Sequence, residues 1–263
     1  MQRLRRSLAS VLVLVAGVPF PANNCHAQST SNSLPDAPTT NLDSNSPVTI
    51  RNTPRHILED QEAIWTSPAR IRDSNVLGPV ALVLGTTLLI TADHQVMSSS
   101  RLQNASLNNK ASLASNGLMG GFIAAPAAIF AIGALHHDDH ASETGILGGE
   151  AVLDSLAVSE VIKGISSRER PTVDSAKGKF FQSGVGFNSS FPSNHTIIAF
   201  SSAAVIASEY DGWLTQVTAY GLAGGVGVAR IMARQHFPSD VFVAGVIGWM
   251  IGRHVVHRHR HAL

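Results

Sequence analysis

The sequence predicts an all-α protein, a bundle of about six core helices, and three observations carry that prediction. Apolar runs of helical length recur at 76–92, 118–135, 146–162, 196–207, 214–229 and 241–256, with polar loops between them. None of these runs alternates strictly between apolar and polar residues, as a half-buried strand would. All are rich in Ala, Gly and Leu, small or unbranched residues that let helices approach closely.

In chain order, Arg3, Arg5 and Arg6 precede the apolar stretch 8–20, and small or polar residues follow as far as Ala27. That order is the order of a secretory signal peptide, so residues 1–27 are expected to direct export. The apolar stretch is about 13 residues long, short of the ~20 needed to span a bilayer. Cys25 is the single cysteine, which excludes an internal disulfide, and Asn23 and Asn24 before it do not suit a lipoprotein signal. Residues 28–54 are expected to form a disordered linker, because Ser, Thr, Asn, Pro and Asp leave almost nothing to bury. The helical domain is assigned to 55–263. At its start Ile57, Ile64 and Trp65 alternate with charged residues and Ser67-Pro68 follows, the pattern of short helices lying on the main body.

A chain of 263 residues suffices for one such domain with tails. With 44% hydrophobic residues, 14% charged and a net charge of +1, it has no basic run that would bind nucleic acid. Most apolar runs span 12 to 18 residues, and the third carries Glu150, Asp154 and Glu160. These features favour buried core helices, so the expected location is exported, periplasmic or envelope-associated with membrane contact, an integral membrane protein being the alternative.

Three stretches between them combine cations with histidines at short spacing. Lys163 is followed by Arg170-Pro171; Pro192-Ser193-Asn194-His195 opens the fourth run; Arg230 is followed by His236 and Asp240. Lysine and arginine side chains neutralise phosphoryl oxygens, and two of the three here are guanidinium forks suited to paired oxygens. Ser193 and Asn194, at a helix start, offer backbone N–H groups to an anion. A histidine attacks phosphorus if its ring is held in the right tautomer, and Asp240 lies about one helical turn beyond His236. Pro238 suits the first position of a helix, which sets His236 just before that helix begins.

Read in order, K-x6-R-P, P-S-x-H and R-x5-H-x3-D resemble the three signature motifs of the type 2 phosphatidic acid phosphatase superfamily, which also holds class A acid phosphatases and vanadium haloperoxidases. The resemblance is close over 163–240 and loose in the flanking helices. It departs at Asn194, where the family usually has glycine, and at Ala229, where a serine is common. It implies a phosphatidic acid phosphatase/haloperoxidase-like fold. It also implies a metal-independent phosphatase, with no cofactor, acting on a phosphomonoester or a lipid (pyro)phosphate. By the same resemblance His236 attacks phosphorus, Asp240 orients it, His195 protonates the leaving oxygen, and Lys163, Arg170, Ser193, Asn194 and Arg230 bind the phosphate. The other readings are a vanadate-dependent haloperoxidase, for which the chain is short, and a non-catalytic envelope protein, against which the intact motifs argue. Protein partners are not indicated.

Other polar residues are expected to be bland. Arg168 and Arg234 read as surface charges, and the histidine groups at 136–140 and 254–261 as adventitious metal binders without a third well-spaced ligand. Phe180 and Phe181, between the first two motifs, either meet an apolar part of the substrate or anchor their loop.

Overall fold

The protein is described here from a computed structural model that defines residues 48–71 and 76–260. The expected signal peptide and residues 28–47 of the expected linker lie outside these residues, and the last two linker residues, Thr53 and Pro54, open the first helix. The described elements are helical: α1 (Thr53–Thr66), α2 (Leu77–Met97), α3 (Ala105–His136), α4 (Asp139–Ser166), α5 (Asn194–Glu209), α6 (Trp213–Met232) and α7 (Pro238–Arg260), with short 3-10 turns between some of them. There is no strand among the described residues. Helices α2 to α7 form the bundle, and α1 lies against α4.

Local chemistry sets the boundaries. Asn104 caps α3 by accepting from the Leu107 N–H at 3.1 Å, and Asp138 caps α4 by accepting from the Ala141 N–H at 3.1 Å. His137 and Ser167 adopt left-handed backbone at the ends of α3 and α4 and stop both helices. Proline opens α7 at its first position, as expected. Two helices exceed their apolar runs. Helix α3 begins at Ala105 rather than near 118, because the Asn104 cap and alanine-rich spacing carry the polar stretch into the helix, and α4 begins at Asp139 rather than near 146.

Helix α5 is the central element, packed on α3, α4, α6 and α7. One side buries Ile197, Ile198 and Val205 against Leu147, Ala151 and Val158 of α4 and Ala244, Ile251 and Val255 of α7. The other buries Ala199, Ala203 and Ala207 against Phe122 of α3 and Ala219, Ala223 and Val226 of α6. Small residues permit the close crossings. A Cβ on Gly145 would lie 2.5 Å from the Phe130 backbone nitrogen, and one on Gly227 would lie 2.6 Å from Val241 Cγ1.

The outer faces of α2 and α3 are bare and apolar, with Leu77 81% and Leu135 78% exposed, and Val83, Leu84, Leu88, Leu113 and Ile132 exposed as well. Helices α2, α3 and α7 are each long and apolar enough to cross a membrane. At 1.5 Å per residue the 21 residues of α2 extend about 31 Å, close to the thickness of a hydrocarbon core. The expectation of short buried core helices therefore fails for α2 and α3, because the helices run past the apolar windows that suggested it.

Candidate active site

The C-termini of α4 and α6 and the N-termini of α5 and α7 meet at one end of the bundle, and the motif residues sit on those four ends. Lys163, in the last turn of α4, is buried and donates from Nζ to the Ser189 carbonyl oxygen. Arg170 lies in the loop beyond and reaches the corner before α7, where Nη1 donates to Gln235 Oε1 at 3.0 Å. Arg230, near the end of α6, donates from Nη1 to Asn116 Oδ1 and Ser115 Oγ, both at 3.4 Å, and its buried Nε has no partner among the described residues. Two guanidiniums and an ammonium are thus held by neutral oxygens, which keeps their charge for an anion.

The histidines occupy the same end. His195, in the first turn of α5, contacts Asn116 Oδ1 through Nε2 at 2.9 Å. His236 is buried, and its Nδ1 donates to the Ser190 carbonyl oxygen at 2.6 Å. A carbonyl only accepts, so Nδ1 carries the proton and the lone pair sits on Nε2. Burial, then the charges of Arg230, Lys163 and Arg170, holds His236 well below the ordinary imidazole range. His195 is pushed down to about 3 by burial first, then by Arg230, His236, Arg170 and Lys163. Lys163 is lowered to about 8 by burial and then by Arg170, and Arg230 to about 10 by burial and then by Arg170. Both imidazoles are therefore neutral at neutral pH, beside the charges of Lys163, Arg170 and Arg230.

Three expected details differ. Asp240 Oδ2 lies 3.8 Å from His236 Nδ1, beyond hydrogen-bond distance, and with a neutral imidazole this is no ion pair. Asp240 instead accepts from the Phe237 N–H at 2.8 Å and from Arg168 Nη1 at 2.5 Å, so it steadies the corner while the Ser190 carbonyl orients the ring. Ser193 Oγ accepts from Thr196 Oγ1 at 3.0 Å, which leaves its own O–H to donate, and its N–H points at the Asp240 carbonyl at 3.4 Å. Asn194 is held by α4, donating to Glu160 Oε1 at 2.7 Å and accepting from Ser159 Oγ at 2.6 Å. What this helix start offers an anion is its first-turn N–H groups, which have no intrahelical acceptor.

Arg168, expected at the surface, is 1% exposed. It pairs with Asp93 Oδ2 of α2 at 2.7 Å as well as with Asp240, donates to Ser239 Oγ at 2.8 Å, and lies between the Phe180 and Phe237 rings at 4.5 and 4.1 Å. Phe180 thus anchors its loop, whereas Phe181 is exposed. Arg234 also departs from expectation, with Nη1 on Gln103 Oε1 at 2.6 Å and Nη2 on the Pro171 carbonyl at 3.1 Å. Spacing could not reveal Arg168, whose acidic partners lie 75 and 72 residues away, nor Asn116, which stood in a stretch read as loop.

Residues 146–262 match the family model described as the PAP2 superfamily. The match covers 117 of the 263 residues. Comparison with curated proteins and with solved structures found no match. The PAP2 span begins in α4 and holds every motif residue, while Asp93 of α2 and Asn116 of α3 lie before it. Proteins of the PAP2 superfamily are phosphatases and related phosphotransferases that act on phosphorylated substrates, often lipids.

Proposed function

We propose that the protein is a membrane-embedded phosphatase that hydrolyses a lipid phosphate or pyrophosphate, or another phosphomonoester, through a phosphohistidine. The observation that carries this reading is His236, buried and neutral, with Nδ1 tied to a carbonyl and Nε2 left as a nucleophile beside three cations. The phosphoryl oxygens are taken by Lys163, Arg170, Arg230 and the first-turn N–H groups of α5. Their negative charge offsets the repulsion that keeps His195 neutral, so His195 gains a proton once substrate is bound. His236 Nε2 forms a bond to phosphorus, the bond to the leaving oxygen breaks, and that oxygen takes the proton from His195. Phosphorylated His236 is cationic and keeps its Nδ1–H on the Ser190 carbonyl. Neutral His195 then removes a proton from water, whose oxygen attacks phosphorus, and the P–N bond breaks to release phosphate. No metal is needed at this cage, because three fixed cations supply the charge stabilisation.

The bare apolar faces of α2 and α3 support a membrane setting and favour a lipid substrate. The test is phosphate release by the detergent-purified protein from phosphatidate, an isoprenoid pyrophosphate and p-nitrophenyl phosphate, with a label on the phosphorus. The wild type should give an acid-labile, alkali-stable protein label and His236→Ala should give neither label nor release; turnover by His236→Ala would refute the mechanism.

A further inference from the structure

The end of the bundle away from the phosphate cage gathers a second set of buried polar groups. His56 of α1, Glu150 of α4 and His259 of α7 are all buried, Glu150 completely. His56 Nδ1 lies 3.1 Å from Glu150 Oε1, and His259 Nε2 lies 3.5 Å from Glu150 Oε2. The two imidazole rings stand 4.6 Å apart, and one donor atom from each of the three residues falls within 4.8 Å of the others. Glu150 Oε2 and His259 Nε2 are buried without a hydrogen-bond partner among the described residues. Leaving such groups unmatched away from water costs free energy, so the set favours a further partner.

The charge around this set narrows the choice. Glu59, Asp60, Glu150 and Asp154 gather here, and the guanidiniums nearby are Arg258, which pairs with Glu59 and Asp60, and Arg55, which pairs with Glu59. His254 Nε2 also approaches Asp60 Oδ1, at 3.3 Å. Arg55 and Arg258 are taken up by Glu59 and Asp60, and among the described residues no guanidinium pairs with Glu150, whose carboxylate is left to the two imidazoles and a cation. Two imidazoles and one carboxylate are a set that zinc accepts, with a fourth position left for water.

We propose that His56, Glu150 and His259 bind one divalent transition-metal ion of the zinc type, and that this ion fastens α1 to the bundle. Donor atoms 2.0–2.2 Å from zinc in tetrahedral array lie about 3.4 Å from one another; the 3.1 Å separation is to Glu150 Oε1 and the 3.5 Å separation to Oε2, so one imidazole fits a chosen oxygen as it stands and the remaining pairs, within 4.8 Å, contract. The site is structural. Glu150 precedes Lys163 by 13 residues on α4, about 20 Å along the helix, so the ion takes no part at the phosphate. The site was hidden in the sequence because its ligands come from three helices, 94 residues separating His56 from Glu150. The histidine-rich end of the chain, expected to bind metal only adventitiously, continues as helix α7 as far as Arg260 and turns His259 inward.

The test uses the full-length protein in detergent, stripped by a chelator and titrated with Zn2+ alone. The wild type should take up one equivalent, lose it to the chelator reversibly, and gain thermal stability on loading. His56→Gln, Glu150→Gln and His259→Ala should each weaken Zn2+ binding by about 100-fold or more, whereas His257→Ala on the exposed side of α7 should not. Cobalt loading of the wild type gives a measurement that needs no variant: a tetrahedral visible spectrum supports the site. Failure of the wild type to bind Zn2+ at micromolar concentrations, or binding that survives all three substitutions, would overturn the proposal in favour of a histidine–glutamate hydrogen-bonded cluster without metal.

Discussion

Lys163 should impose a basic limit on substrate capture, and its burial sets where that limit falls. An exposed lysine would hold its charge at pH 9, but burial and Arg170 bring Lys163 down from 10.5 to about 8. The lowered cation loses its proton as pH rises through that value, so about three quarters of the free enzyme carries the charge at pH 7.5 and about one tenth at pH 9. If a charged Lys163 is needed to capture the phosphate, kcat/KM should fall about eightfold across that interval, since this ratio reports the free enzyme. Bound phosphate favours the charged lysine, so the limb in kcat should lie at higher pH. Lys163→Arg keeps a cation that does not titrate in this range and should flatten the limb; Lys163→Gln should be weakly active and equally flat. The assay is initial-rate kinetics with p-nitrophenyl phosphate in detergent between about pH 6 and pH 9.5. A wild type flat to pH 9.5, or a limb that persists in Lys163→Arg, would show that another group sets it.

The remaining predictions concern the supports of the site. Arg168→Met should lower stability by about 3–5 kcal/mol, because it strands two buried carboxylates, and adding Asp93→Asn should recover part of the loss; thermal denaturation in detergent reads both. Asn116→Asp puts a carboxylate within reach of His195 and Arg230, where it repels the incoming phosphate, so KM should rise at least tenfold while Asn116→Ala stays within about threefold of wild type. Gly145→Ala drives a methyl group into the Phe130 backbone and should cost about 1–3 kcal/mol, seen as an earlier melting transition, whereas Gly149→Ala on the same helix meets nothing and should be neutral or stabilising.

Much of this site was legible because its residues fall into short motifs whose spacing is local. Lys163, Arg170, His195, Arg230 and His236 each belong to a short motif, and helix ends place them where the apolar runs stop. Pro238 marked the start of α7 for the same local reason. The supporting residues were illegible because their meaning lies in long-range partners: Arg168 looked like any loop arginine until Asp93 and Asp240 closed on it, and His56 like any helix histidine until it met Glu150. Asp240 lies one helical turn beyond His236, and spacing alone does not fix the 3.8 Å that separates its Oδ2 from Nδ1. Apolar run length also misled, since the polar start of α3 is helical and carries Asn116 to His195.

The ion pair from Arg168 to Asp93 crosses the edge of the recognisable superfamily segment, which starts only at residue 146. A fragment cut at that edge would keep every signature residue yet lose one of the two counter-charges on a sequestered guanidinium, together with the amide that steadies His195. Anyone trimming this gene for expression should therefore let tertiary partnership, and not motif coverage, decide where the N-terminal cut is made.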